Sequence, residues 1–251
     1  MKRIRLTVAY DGTNYHGWQI QKNAITIESE LNAAITDLLG KETAVIGASR
    51  TDAGVHSKGN IAVFDTDTQI PAEKIYGALN ARLPEDIRIV KSDEVPLDWH
   101  PRHQDCRKTY EYRISVGKVQ FPTGRLYSHF TYHSLDVRAM KEASVYFMGE
   151  HDFASFCAAG SQAETTVRTI YDLSVECQSD FLTEGEVVIR VTGNGFLYNM
   201  VRIIAGTLFD VGAGKKKPSD VKEILESLDR RNAGPTLPAN GLMLVGYEYD
   251  N

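Results

Sequence analysis

The sequence predicts an α+β protein made of two tandem split-βαβ halves, each running β-α-β-β-α-β. Three observations predict it. β-Branched and aromatic runs take turns with amphipathic runs of helical period. The order of these runs in residues 1–98 recurs, with insertions, in residues 99–251. A Pro-containing stretch, residues 95–107, separates the two passes. Ligand sites commonly lie in a cleft where two such units meet.

Residues 4–10 form a β-rich run closed by Asp11-Gly12. An aromatic loop follows, Tyr15-His16-Gly17-Trp18-Gln19. Thr26 then N-caps a helix to about residue 39, with Glu28 and Glu30 in its first turn. Its apolar face is Leu31, Ile35, Leu38 and Leu39, and Gly40 ends it. Residues 43–46 and 59–64 read as short apolar strands. Pro71 starts a second helix that ends before Pro84 and turns Ile75, Leu79 and Leu83 inward. Residues 87–90 are a strand.

In the second half, residues 109–116 alternate strictly and predict the clearest strand in the chain. Asp136 begins a helix to about residue 148. Residues 169–177 and 187–192 are strands, and Gly193-Asn194-Gly195 is a hinge. A helix is expected from about residue 196 to 209, and a shorter one capped by Ser219 runs to residue 228. Residues 242–249 form the last strand.

The chain has 251 residues, 42% apolar and 24% charged, which suits a globular protein of one large or two small domains. No apolar run reaches membrane-spanning length and no signal peptide is visible, so a cytoplasmic location is expected. Cys106, Cys157 and Cys177 are far apart and odd in number, which suits reduced thiols. Net charge is −5, yet residues 101–125 hold six cations against two acids, +4 locally and −9 elsewhere. A protein polarised in this way can present a basic face to a polyanion, or simply a solvated one.

Several chemistries are disfavoured. Gly212-Ala213-Gly214-Lys215 lacks the spacing of a phosphate-binding P-loop. There is no Gly-x-Ser-x-Gly elbow and no dinucleotide fingerprint. His100, His103 and Cys106 lie at metal-like intervals, with His129 and His133 beyond, but without the tight second pair of a zinc site. No metal is expected.

Three stretches remain. Ala48-Ser49-Arg50-Thr51-Asp52-Ala53-Gly54-Val55-His56-Ser57 joins two strands with one acid, one cation, one imidazole and small residues. Either Asp52 caps local amides in a tight turn, or the stretch admits a ligand close to backbone and side chains. Tyr110 and Tyr112 share one strand face, as two core aromatics or as a ring that meets a ligand. The helix after residue 196 is apolar nearly all round, so Asn199 and Arg202, three apart, stand out. A buried Arg usually has an anionic partner.

Together these stretches resemble the TruA family of tRNA pseudouridine synthases. Arg50-Thr51-Asp52-Ala53-Gly54-Val55-His56 is similar to that family's catalytic motif. So are Asp11-Gly12-x-x-Tyr15-x-Gly17-Trp18-Gln19, His100-Pro101-Arg102, Arg107-x-Thr109-Tyr110-x-Tyr112 and Gly149-x-His151-Asp152-Phe153. The Asn199-Met200-Val201-Arg202 helix and Gly234-Pro235-Thr236-x-Pro238-Ala239-x-Gly241-Leu242 complete the order. Ser49 replaces the family's usual Gly and Ser57 its Ala, while Asn240 and Met243 stand where His and an aromatic are frequent.

The resemblance implies two ferredoxin-like halves forming one long, mainly antiparallel sheet, with helices on one side and a central basic cleft. It implies a homodimer that isomerises uridines at tRNA positions 38 to 40, in the anticodon stem-loop, without a cofactor. It makes Asp52 the catalytic nucleophile. Tyr110, Arg50, Arg202 and Leu242 become substrate-binding residues. Tyr110 would contact the uracil, Arg50 hold the extruded nucleotide, Arg202 pair with Asp52, and Leu242 wall the base pocket.

Overall fold

The computed structural model describes residues 1–178 and 185–249. Along the chain run β1 (Lys2–Tyr10), α1 (Ile27–Leu39), β2 (Ile46–Gly47), β3 (His56–Thr66), α2 (Ile75–Asn80) and β4 (Ile87–Val95). Then come β5 (Cys106–Val116), β6 (His129–Thr131), α3 (Val137–Ser144), β7 (Gly149–Asp152), β8 (Val167–Gln178) and β9 (Gly185–Gly193). The chain ends with α4 (Met200–Gly212), α5 (Asp220–Ser227) and β10 (Leu242–Tyr249). The class is α+β with mostly antiparallel strand pairing. Among the described residues no helix is long and apolar enough to cross a membrane.

Two compact units form. The first comprises residues 1–106 and 243–251, the second residues 107–242. In the first unit the strand order is β4-β1-β3-β10, with β2 beside β3. β1 pairs antiparallel with β3 and β4, while β10 runs parallel to β3 with Met243 opposite His56. The chain's last strand thus lies with its first elements, a placement that sequence order does not suggest.

β1 alternates cleanly. Ile4, Leu6, Val8 and Tyr10 face the core with Ile27, Leu31 and Ile35 of α1 and Ile75 and Leu79 of α2. The strand's other side carries ion pairs, Arg3–Asp65 at 2.7 Å and Arg5–Asp93 at 2.5 Å. α1 begins as expected. The Thr26 side chain accepts from Ser29 N–H and the Ser29 hydroxyl oxygen accepts from Thr26 N–H, a reciprocal cap. Three elements differ from expectation. β2 covers only two residues, and β3 starts at His56, so the end of the Asp52 motif is already strand. The second helix is a 3-10 turn, Ala72–Lys74, followed by six α-helical residues. Gly77 weakens it and Pro84 bars Leu83 from helical backbone, although Leu83 is still buried.

In the second unit the order is β5-β9-β8-β7, with β6 parallel to β5. β6 and β7 are three and four residues long, too short to show in a hydrophobic pattern. α4 starts at Met200 instead of residue 196, because Asn199 has φ 60°, in the left-handed region. Every α4 residue except Arg202 is buried, as the apolar run implies. At α5 the Ser219 side chain makes no cap; the Asp220 carboxylate accepts from Lys217 N–H instead.

β5 does not alternate as read. Tyr110, Glu111 and Tyr112 are all buried. Glu111 pairs across the ladder with Arg190 of β9 and along the strand with Arg113, which also meets Glu186 at 2.6 Å. Burial disfavours the charged carboxylate, but the two guanidiniums outweigh it and hold Glu111 below the usual glutamate range. Its contribution to stability is therefore full above the unfolded pKa, about 4.3, and fades as pH falls through the lower folded value. Glu111→Gln is expected to lose about 1–3 kcal/mol at neutral pH. Urea unfolding should show the gap to wild type narrowing towards about pH 3. A gap that is the same at both pH values contradicts the pairing.

Candidate active site

The Asp52 loop is built by backbone contact. Trp18 N–H donates to Thr51 O at 3.0 Å, and Gly54 N–H donates to Tyr15 O at 3.3 Å. Gly17 has φ +85°, and a Cβ there would stand 2.5 Å from Thr51 O and 3.0 Å from the Asp52 carbonyl carbon. A Cβ at Gly12 would stand closer still, 2.0 Å from Val55 O, and the Gly12 N–H donates to His56 Nδ1 at 3.0 Å. Asp11 Oδ1 stands 3.1 Å from the same nitrogen. The Tyr15 phenol anchors the aromatic loop by donating to Asp86 Oδ1 at 2.5 Å. Burial, then that carboxylate, push its pKa upward, so the phenol stays a donor. The separate motif Asp11-Gly12-x-x-Tyr15-x-Gly17-Trp18 is therefore the seat of the Asp52 loop.

Arg50 is exposed on this loop and Asp52 is partly buried. Arg102 reaches the same neighbourhood, its Nε donating to Gly47 O at 2.7 Å. Burial, and next the like charge of Arg50, lower the Arg102 pKa. Glu28 acts on Arg102 in the opposite sense. Guanidinium groups of this kind are chemically suited to phosphate.

The second unit holds the other expected residues. Tyr110 on β5 is 8% exposed, with Phe196 edge-on at 5.2 Å. Tyr112 is the core aromatic of the pair. It is fully buried, and its phenol donates to Pro238 O at 2.7 Å. Arg202 is half-buried at the start of α4; its Nε donates to Leu237 O at 2.6 Å and its Nη1 to Asn199 Oδ1 at 2.7 Å. The left-handed Asn199 thus spends its side chain on Arg202 and not on the helix end. Gly234 N–H donates to Thr207 Oγ1 at 2.8 Å, and Leu237 N–H to Arg202 O at 3.3 Å. These bonds lay the Gly234-Pro235-Thr236 segment along α4. Asn240 Nδ2 donates to Arg125 O and Ser128 O at 3.0 and 2.9 Å. Leu242, 6% exposed, follows this strapped segment.

The structure therefore places Arg50 and Asp52 on one braced loop of the first unit. It places Tyr110, Arg202 and Leu242 around β5, α4 and the segment that joins α4 to the last strand. Sequence reasoning missed Phe196, edge-on to Tyr110, and Asn60, whose Nδ2 donates to Ser49 O at 3.0 Å. Asn60 had a signal, as the one polar side chain in the apolar run 59–64. His100 and His103 stack at 4.0 Å, and His100 Nδ1 accepts from Arg102 N–H at 3.2 Å. Among the described residues no group of three His, Cys, Asp or Glu side chains gathers as metal ligands. In the second unit Arg107 lies over the Tyr171 ring at 4.8 Å, whereas Arg113 is taken up by Glu111 and Glu186.

A family model described as tRNA pseudouridine synthase matches residues 6–104 and 143–250. The chain is 48% identical over 249 residues to tRNA pseudouridine synthase A of Thermoanaerobacter sp. (strain X514), covering 99% of this chain and 100% of that one. It is 48% identical over 249 residues to the protein of that name from Ruminiclostridium cellulolyticum, with the same coverage. To that from Clostridium acetobutylicum it is 46% identical over 249 residues, again covering 99% and 100%. With the matching motifs in order on a braced aspartate loop, the chain is an isomerase that belongs to the tRNA pseudouridine synthase family.

Proposed function

We propose that this protein converts uridine to pseudouridine at positions 38 to 40 of the tRNA anticodon stem-loop, as a cytoplasmic homodimer, with Asp52 as the acting carboxylate. The observation that carries the reading is the Asp52 loop: one carboxylate two residues from Arg50, on a loop fixed by backbone contacts from two glycines, with Arg102 close to Arg50.

The reaction breaks the N1–C1′ bond, turns the uracil and forms a C5–C1′ bond. The C5 proton leaves and N1 gains one, so the product has the atoms of the substrate and no redox or energy cofactor is needed. A uridine in a stem must first be extruded, at a cost of a few kcal/mol. Arg50 and Arg102 offset that cost by binding phosphate. Asp52 then acts in its ionised form, on C1′ or C6 or on a sugar proton. Tyr110 holds the uracil by stacking, worth roughly 1–3 kcal/mol. Leu242 supplies an apolar wall, and Arg202, its fork aimed by Leu237 O and Asn199 Oδ1, is the cation of the substrate-binding set.

Unmodified transcripts in which the uridines at 38, 39 and 40 are singly replaced by cytidine test the positions. Loss of product at the replaced position alone supports the reading. Product that forms elsewhere in the tRNA refutes the anticodon assignment.

A further inference from the structure

The Asp52 loop is gripped by a relay of side chains that passes through one buried asparagine. Asn60 on β3 has no exposed surface. Its Nδ2 donates to Ser49 O at 3.0 Å and to Tyr10 Oη at 3.3 Å. Tyr10 Oη in turn lies 2.7 Å from Thr51 Oγ1. Asn60 Oδ1 accepts from Ile61 N–H at 2.9 Å and lies 3.1 Å from Tyr247 Oη, which is 2.6 Å from Ser49 Oγ.

Counting protons orders the relay. A carboxamide oxygen only accepts, so the Tyr247 phenol donates to Asn60 Oδ1. The same phenol is the donor to Ser49 Oγ at 2.6 Å, so its one proton is shared between the two oxygens. On the other side Nδ2 donates to the Tyr10 oxygen, which frees the Tyr10 proton for Thr51. Reversing the Asn60 amide would turn an NH₂ group on the Ile61 N–H, so the orientation is fixed. Tyr247 is itself held flat against Tyr249, with ring centroids 5.8 Å apart and planes 6° apart. Residues 49 and 51 are thus tied on both sides of Arg50, one step before Asp52. Tyr247 reaches the loop from the last strand, and Ser49 supplies a hydroxyl where the TruA family usually has Gly.

We propose that Tyr247, acting through Ser49 and Asn60, is a positioning residue that fixes the direction of the Asp52 carboxylate. The proposal rests on Asp52 being the acting group. It predicts a loss in the chemical step and not in tRNA binding.

A double-mutant cycle on the full-length protein, with an unmodified tRNA transcript at single turnover, tests it. Tyr247→Phe removes one oxygen and keeps the ring; Ser49→Gly breaks the relay from its other end. Each should slow conversion roughly tenfold, as small misplacements of a reacting group do. The tRNA Kd should stay within about twofold and the acid limb of the rate profile should not move, since phosphate contacts and Asp52 ionisation are untouched. The double variant should be no slower than the slower single one, because both break the same relay. Ser49→Thr, which keeps a hydroxyl, should retain most of the rate. Single variants with unchanged rates beside an inactive Asp52→Asn overturn the positioning role and leave the Asp52 assignment standing. Independent, multiplying losses overturn it too. Turnover by Asp52→Asn overturns the assignment, and the positioning role with it. Should Tyr247→Phe fail to fold, Ser49→Gly decides alone.

Discussion

Asp52→Asn is expected to abolish pseudouridine formation, by about 10⁴-fold or more, as removal of an acting group commonly does. The substitution keeps the side chain's size and removes its charge. Asp52 is the sole acid in residues 48–57, and Arg50, two residues away, is suited to phosphate and not to bond-breaking. tRNA binding should hold or tighten slightly, because a negative charge near the phosphate contacts is gone. Single-turnover conversion and filter binding, measured on one preparation, separate the two effects. Appreciable turnover by the variant would refute Asp52 as the acting carboxylate. Weakened binding with proportionate turnover would make it a binding residue.

Gly17→Ala should damage both stability and rate, because it combines strain with a clash against the Asp52 loop. At φ +85° an alanine is strained, and its Cβ would stand 2.5 Å from Thr51 O, a backbone atom that cannot rotate away. Relief requires the Asp52 loop itself to move. A stability loss of about 2–4 kcal/mol is expected from strain and clash together. The surviving folded protein should convert tRNA roughly 10²-fold more slowly, since the reacting carboxylate is displaced. Gly40→Ala is the control. Gly40 also has a positive φ, +65°, at the end of α1, but a Cβ there meets nothing within 4 Å. It should cost about 1 kcal/mol and leave the rate alone. Equal losses of rate in the two variants would show that general destabilisation, and not loop displacement, lowers activity.

What the sequence made legible follows physical lines. α1 could be read at both ends because its signals are local: the Thr26 cap, the apolar face and Gly40 in the left-handed region. β1 could be read because one of its faces is core and the other carries Arg3 and Arg5. Glu111 could not be placed, since Arg190, which allows it to be buried, comes from another strand. The start of α4 was misread because Phe196 and Leu197 fit an apolar helix, and only the backbone at Asn199 stops it. The pairing of β10 with β3 joins distant parts of the chain and leaves no local trace.

The site divides in the same way. Arg50 and Asp52 stood out because an acid and a cation lie two apart among small residues. Arg202 stood out as a cation in an apolar helix, and an anionic partner was the natural inference. What the sequence could not show is that two of its donor nitrogens are also fixed by neutral oxygens, of Leu237 and Asn199, which aim the guanidinium. Tyr247 was invisible, being 198 residues from the serine it holds. Arg102 was visible only as part of a His-Pro-Arg motif, and its role needed the carbonyl of Gly47.

One measurement reaches the central claim, that Asp52 drives isomerisation of uridine within tRNA. The protein and its Asp52→Asn variant are incubated with a single unmodified transcript, the RNA is digested to nucleosides, and uridine and pseudouridine are both quantified and mapped. The wild-type protein should lose uridine and gain pseudouridine in equal amounts, at positions 38 to 40, and the variant should do neither while still binding. Uridine lost without pseudouridine gained, as a glycosidic hydrolase would give, or binding without any change in wild type, would contradict it.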